Sequence, residues 1–242
     1  MQNKYFKEIV KLLEKIEDTQ SEKMKQAAAL IANTVKQDGL IYVLGSGHSQ
    51  NVALEPFHRS GSLACVSAIL DDSFNFKPSA HAATALERLE GLTPIILSRH
   101  NLTPKDIFIV VSNSGRNAAG IDAAIYAKSK GLKVIVITAL AAHKDSKPRH
   151  SSGKMLRDFG DITLDNCCNK QETALTLAGK NIAPVSTIAG AAIINNIMYL
   201  ATAELVNSGQ NPPIYLSSND DGGDANNAAL AQKYKGRILY LD

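Results

Sequence analysis

Tryptophan is absent from the 242 residues, aromatic residues make up only 5% of them, and there are three cysteines. Each scarcity excludes something. With so few rings there is no platform on which successive bases could stack. A net charge of +3 is too small to mark a surface for nucleic acid, so none is expected as a partner. Cys167 and Cys168 are adjacent and Cys65 stands alone; this odd, unpatterned set suits a reducing cytoplasm better than a disulfide framework. Neither His-Glu-x-x-His nor Cys-x-x-Cys spacing occurs, so no metal site and no cofactor is expected. No basic segment followed by an apolar one opens the chain, so no secretory signal is read there. The longest apolar stretch, Ile182 to Leu200, is interrupted by Pro184, Ser186, Asn195 and Asn196. It reads as a buried helix and not a membrane span.

What is present is the composition of an ordinary soluble globule, 45% hydrophobic and 20% charged, long enough for one α/β core. Apolar residues at helical spacing mark a first helix around Phe6, Ile9, Val10, Leu13 and Ile16, and a second from Met24 to Val35. These two helices are read as an N-terminal extension over residues 1–38, with a single domain over 39–242. Leu40 to Leu44, Ile107 to Val111 and Val134 to Ile137 are continuous apolar runs of strand length. Apolarity without alternation implies burial on both faces, as in a parallel sheet. A short strand is expected around Leu63 to Val66 and a fifth at Ile162 to Leu164. Helices are expected at Ala80 to Leu89, Asn117 to Lys130 and Ser186 to Val206, with a last one after the Pro/Gly/Asn-rich stretch from Gly209 to Asp224. Strands alternating with helices predict a doubly wound parallel sheet covered on both sides.

Two strands run directly into loops rich in Gly and Ser: Gly45-Ser46-Gly47-His48-Ser49, and Ser112-Asn113-Ser114-Gly115. In such a sheet the ligand crevice lies beyond the carboxyl ends of the strands. Glycine lets backbone amides approach an anion, and serine hydroxyls rotate to meet phosphate oxygens. The first loop is no dinucleotide fingerprint, because Gln50 stands where a third glycine is required, and no Walker Gly-Lys-Ser/Thr follows either strand. Two phosphate-cradling loops are the reading.

This pair of motifs resembles the sugar isomerase (SIS) domain over roughly residues 35 to 205. That family includes phosphoheptose isomerase, the isomerase half of glucosamine-6-phosphate synthase and N-acetylmuramic acid 6-phosphate etherase. The runs Ser112 to Asn117, Arg149 to Lys154 and Asp221 to Asp224 are similar to the bacterial group labelled UPF0309. The resemblance implies a flavodoxin-like SIS domain, a phosphorylated sugar as ligand and a homodimer or higher homo-oligomer. It assigns phosphate binding to Ser112 and Ser114, places Asn117 where the family carries a hydroxyl, and sets Ser49 near the sugar or its phosphate.

Aldose–ketose isomerisation needs a base that moves a proton between neighbouring carbons. The resemblance puts a Glu on the helix after the first loop, and Glu55, among Val52, Ala53, Leu54, Pro56 and Phe57, is the first candidate; burial there would raise its pKa. The family's second helper, a His on the late helix, has no counterpart, since Asn195 and Asn196 occupy the middle of that helix. His48 is the best-placed substitute, ahead of His81, His100, His143 and His150. Glu87, with Glu90, is a further acid–base candidate. The basic segment from His143 to Lys154 reads either as a solvated loop or as a steering surface for an anion. The segment Asn219 to Asp224 reads as a turn with Asp224 capping the last helix. Isomerisation is therefore the leading expectation, with a non-catalytic sugar-phosphate sensor or an etherase-type lyase as the alternatives. A membrane is not an expected partner.

Overall fold

The computed structural model describes residues 3–77, 79–144 and 146–241. In chain order they form α1 (Lys4–Lys36), β1 (Ile41–Gly45), α2 (Ser49–Leu54), β2 (Val66–Ala68), α3 (Ala80–Leu86), α4 (Leu92–Leu97), β3 (Ile107–Val111), α5 (Ala118–Ser129), β4 (Lys133–Thr138), α6 (Leu140–His143), β5 (Ile162–Asp165), β6 (Thr173–Leu177), β7 (Lys180–Pro184), α7 (Ser186–Asn207) and α8 (Gly223–Tyr234). Five strands make one sheet in the order β2-β1-β3-β4-β5, every neighbouring pair parallel. This is the doubly wound, flavodoxin-like architecture that the apolar runs predict. β1 and β3 are buried at every position, because helices cover both faces of the sheet.

Four local expectations are corrected. The N-terminus is one 33-residue helix, not two. The polar interval Glu17 to Lys23 holds neither Gly nor Pro, so nothing in it breaks the backbone ladder. Gln20 within it is buried and its side-chain oxygen accepts from the Asp165 amide at 3.0 Å. The edge strand begins at Val66, later than expected, while Leu63 makes an isolated antiparallel bridge to Ile214. The antiparallel pair β6–β7, outside the main sheet, lies where no strands are expected. Gly222, and not Asp224, occupies the cap position of α8, and Asp224 falls in its first turn, where a carboxylate favours the helix dipole.

α7 is long and apolar enough to cross a membrane by length and composition alone. Instead it packs along α1, and its Ile193, Ile194, Ile197 and Ala201 are fully buried in the same core as Met24, Ala27 and Ile31 of α1.

Under the opposite end of β1, Tyr42 stacks on Phe108 and meets His100 edge-on. Neither ring nitrogen of buried His100 has a hydrogen-bond partner, and burial pushes its pKa down to about 4. A depressed folded pKa gives stability that is complete above the unfolded value of about 6.5 and is lost as pH falls through about 4. An acid limb of order 1–3 kcal/mol is expected across that window. In urea titrations His100→Phe should flatten it; an unchanged limb assigns the acid sensitivity elsewhere.

Candidate functional site

The strand order reverses at β1: β2 lies on one side and β3 on the other, with Gly45 paired to Val111 at their carboxyl ends. The two Gly/Ser loops leave the sheet side by side there, at the switch point where a parallel sheet opens a crevice. In the first loop a Cβ on Gly45 would lie 2.2 Å from the Ser49 carbonyl oxygen, so only glycine lets the chain fold back to start α2. In the second, Gly115 has φ of +57° and packs on His143 and Thr138. The Thr138 hydroxyl donates to the Ser112 carbonyl at 2.6 Å and lies 2.8 Å from His143 Nε2. His143 is buried, which holds its pKa below the usual histidine range. It therefore serves as a neutral prop whose Nε2–H donates to that hydroxyl.

A cavity of about 420 Å³ opens between the loops. Ser46, Gly47, His48 and Ser49 line it from the first loop, and Ser112, Asn113, Ser114, Arg116 and Asn117 from the second. Glu87, at the carboxyl end of α3, projects between them. Its carboxylate accepts from Ser46 Oγ at 3.2 Å and from Asn117 Nδ2 at 2.8 Å, and Asn117 Oδ1 accepts from Arg149 Nη1 at 3.0 Å. Burial raises the Glu87 pKa above the carboxylate range; the Ser46 hydrogen bond, Arg88 and Arg149 oppose the rise, and Glu172 adds to it. The buried Asn113 amide has its oxygen paired with Asn166 Nδ2 at 2.7 Å and its own Nδ2 without a partner. Buried Arg116 Nε also lacks one. The cavity thus offers hydroxyls, an unpaired amide and two guanidinium groups to an anion, with a desolvated carboxyl beside them.

Of the residues singled out in the sequence, Ser46, Gly47, His48, Ser49, Ser112, Asn113, Ser114, Asn117 and Glu87 line this cavity, while Gly45 and Gly115 shape its walls from behind. His48 is exposed at the rim with its ring 5.0 Å from that of Phe76. Glu55 is not brought here. Six residues beyond Ser49, roughly 9 Å along the helix axis, it caps the far end of α2. There it pairs with Arg59, accepts from Asn195 Nδ2 at 3.0 Å and lines a separate hollow against α7. The basic segment is not solvated throughout, since it is anchored at several points. His150 Nε2 sits 2.9 Å from Asp122 Oδ1, and Ser151 donates its amide and hydroxyl to Glu90. This anchorage, with the Arg149 amide donating to the Arg116 carbonyl, turns Arg149 into the cavity. The Asn219 to Asp224 turn contributes nothing to its lining.

Sequence reasoning missed Arg116, Glu172, Ser186 and Phe76, all of which line the cavity. Arg116 lies inside the run Ser112 to Asn117 and Ser186 at the start of the late helix, so both had a positional signal. Glu172 had none. Among the described residues no group of three or more His, Cys, Asp or Glu is placed to hold a metal ion.

The SIS domain profile matches residues 4–139. A UPF0309 protein of Listeria monocytogenes serotype 4b is 40% identical over 243 residues, covering 100% of this chain and 98% of that protein. Among solved structures, a phosphoheptose isomerase from Francisella tularensis is similar with a TM-score of 0.55 and 17% identity, over 83% of this chain and 96% of that one. The Vibrio vulnificus NanR protein, complexed with ManNAc-6P, is similar with a TM-score of 0.50 and 15% identity, over 95% of this chain and 67% of that one. At such identities the structural likeness concerns the fold. With a profile match that begins in α1 and runs through β4, and a full-length relative at 40% identity, the chain belongs to the SIS domain family, in its UPF0309 group.

Proposed function

We propose that the cavity between the two loops binds a phosphorylated sugar and that Glu87 moves a proton between its first two carbons, an aldose–ketose isomerisation. The serine hydroxyls and the guanidinium groups of Arg116 and Arg149 suit the phosphate. The phosphoheptose isomerase and ManNAc-6P-bound NanR folds among the structural relatives agree with a phosphosugar ligand. The observation that carries the catalytic half is Glu87: a carboxyl desolvated in the cavity, with a raised pKa, is suited to work as a base near neutral pH.

One observation favours a second reading. The Glu87 carboxylate holds both Ser46 and Asn117, which also suits a clamp that joins the loops in a non-catalytic sugar-phosphate sensor.

Thermal melting with a panel of sugar phosphates tests the binding half. At a hundredfold excess over Kd a true ligand should raise Tm by roughly 5–10 °C for a chain of this size. Ser114→Ala should remove most of that rise. Binders are then incubated in D2O: deuterium entering at the carbon beside the carbonyl supports the isomerase, and binding without exchange supports the sensor. No shift with any panel member, at concentrations where phosphate itself shifts Tm, overturns the sugar.

A further inference from the structure

Glu172 is a second carboxylate in the same cavity. It stands between the end of β5 and the first residue of β6, lines the site with Glu87 and Ser186, and accepts from Ser186 Oγ at 3.0 Å through Oε2. Its backbone is held on both sides: the Glu172 amide donates to the Asn169 carbonyl at 3.1 Å, and its carbonyl accepts from the Val185 amide at 2.9 Å. It is fixed at φ of +60°, a conformation that disfavours a long side chain, and such strain gathers at functional positions. A structural carboxylate has no need of this backbone, since a glycine would satisfy both backbone bonds without strain. What glycine would lose is the carboxyl aimed into the cavity.

We infer that Glu172 is the second acid–base group of the site, working across the cavity from Glu87 on the oxygens of the sugar while Glu87 works on its carbons. This rests on the isomerase reading above. From aldose to ketose, the Glu87 carboxylate takes the proton from carbon 2. The electron pair of that C–H bond becomes the double bond between carbons 1 and 2, and the carbonyl oxygen on carbon 1 takes a proton from the Glu172 carboxyl. In the second half, the hydroxyl on carbon 2 returns a proton to Glu172 as its carbonyl forms. The double-bond electrons take the proton from Glu87 at carbon 1. Both carboxyls finish as they began, and no electron donor or acceptor enters. The late helix that lacks a histidine contributes Ser186 instead, which orients Glu172 through its hydroxyl.

The test uses the full chain with fructose 6-phosphate, sedoheptulose 7-phosphate and N-acetylmannosamine 6-phosphate in D2O, read as deuterium incorporation beside the carbonyl and, for the two ketoses, as aldose–ketose conversion. Glu172→Gln should lower conversion by about 10²–10⁴-fold, with probe affinity within about threefold, and should remove one limb of the pH–rate profile. Glu172→Gly relieves the backbone and deletes the carboxyl; it should melt at or above the wild type and be as inactive as the Gln variant. Glu172→Gln with near-wild-type conversion and both pH limbs overturns the inference. So do two variants that melt far below the wild type and no longer bind inorganic phosphate, which would make Glu172 a structural residue. If Glu87→Gln stops exchange and Glu172→Gln does not, only the Glu172 assignment fails. If the wild type exchanges none of the three probes, the isomerase reading fails and this inference with it.

Discussion

Glu87→Gln is expected to slow conversion of a bound sugar phosphate by about 10²–10⁴-fold while leaving its affinity within about threefold. The amide keeps the size and most of the hydrogen bonding of the carboxylate: its oxygen can still accept from Asn117 or Ser46. What it cannot do is take a proton from carbon. The same substitution should raise stability near neutral pH. A raised folded pKa means that the carboxyl's favourable contribution is complete below the ordinary carboxylate range and is lost as pH rises through the folded value. At pH 7 the ionised group sits desolvated and disfavours the fold; glutamine removes that charge. Melting curves of both proteins at pH 7 and pH 4 read this directly. The variant should melt higher at pH 7, with the gap shrinking at pH 4. A variant that melts lower at pH 7 contradicts a desolvated Glu87, and one that retains turnover removes it as the base.

The second large effect concerns shape. Gly115→Ala places a methyl at 2.3 Å from His143 Nε2 and 3.0 Å from Thr138 Oγ1, at a φ of +57°. Left-handed backbone alone costs alanine about 1–2 kcal/mol. His143 cannot retreat cheaply, because it is 3% exposed and bonded to Thr138. Thr138 in turn holds the Ser112 carbonyl, so a displaced imidazole pulls the second loop out of register with the end of β4. A total loss of about 2–4 kcal/mol is expected, along with at least a tenfold loss of phosphate affinity. Gly61→Ala is the control. It has φ of +82° and open space around the added methyl, so it carries the backbone cost without the collision. Equal losses from the two substitutions would show that His143 yields freely and does not brace the loop.

The sheet was legible because its strands are continuous apolar runs, Ile107 to Val111 most clearly, bounded by glycine and polar residues. The loops were legible because a phosphate cradle is local: its glycines and serines are consecutive. Glu87 reads second to Glu55 in the sequence because the resemblance puts the base on the helix after the first loop, and no local signal shows that α3 ends at the crevice. α2 carries Glu55 away from the crevice within two turns, and that direction is a tertiary fact. Arg149 and Glu172 arrive from loops after β4 and β5, held there by contacts with Arg116, Asp122, Glu90 and Asn169. No spacing in the chain encodes those meetings. The pair β6–β7 escaped for a different reason. Its two-residue turn is Ala178-Gly179, both at positive φ, and alanine there lacks the Asn-Gly or Asp-Gly signal that marks such turns. α1 reads as two helices in the sequence because the polar interval Glu17 to Lys23 separates its apolar stripes, although only backbone chemistry ends a helix.

The hairpin β6–β7 bears on how the molecule opens. Neither strand pairs with the main sheet, and Leu177 at its tip is 67% exposed, so it lacks the flanking strands that keep the parallel sheet closed. A lone two-stranded ribbon is marginal in water, and its amides exchange with solvent through local fraying, at a free energy well below that of global unfolding. The Val185 amide, bonded back to the Glu172 carbonyl, is expected to be the first to exchange at the slow rate of the core. Slow and fast exchange are therefore expected to meet at Glu172, whose side chain lines the cavity.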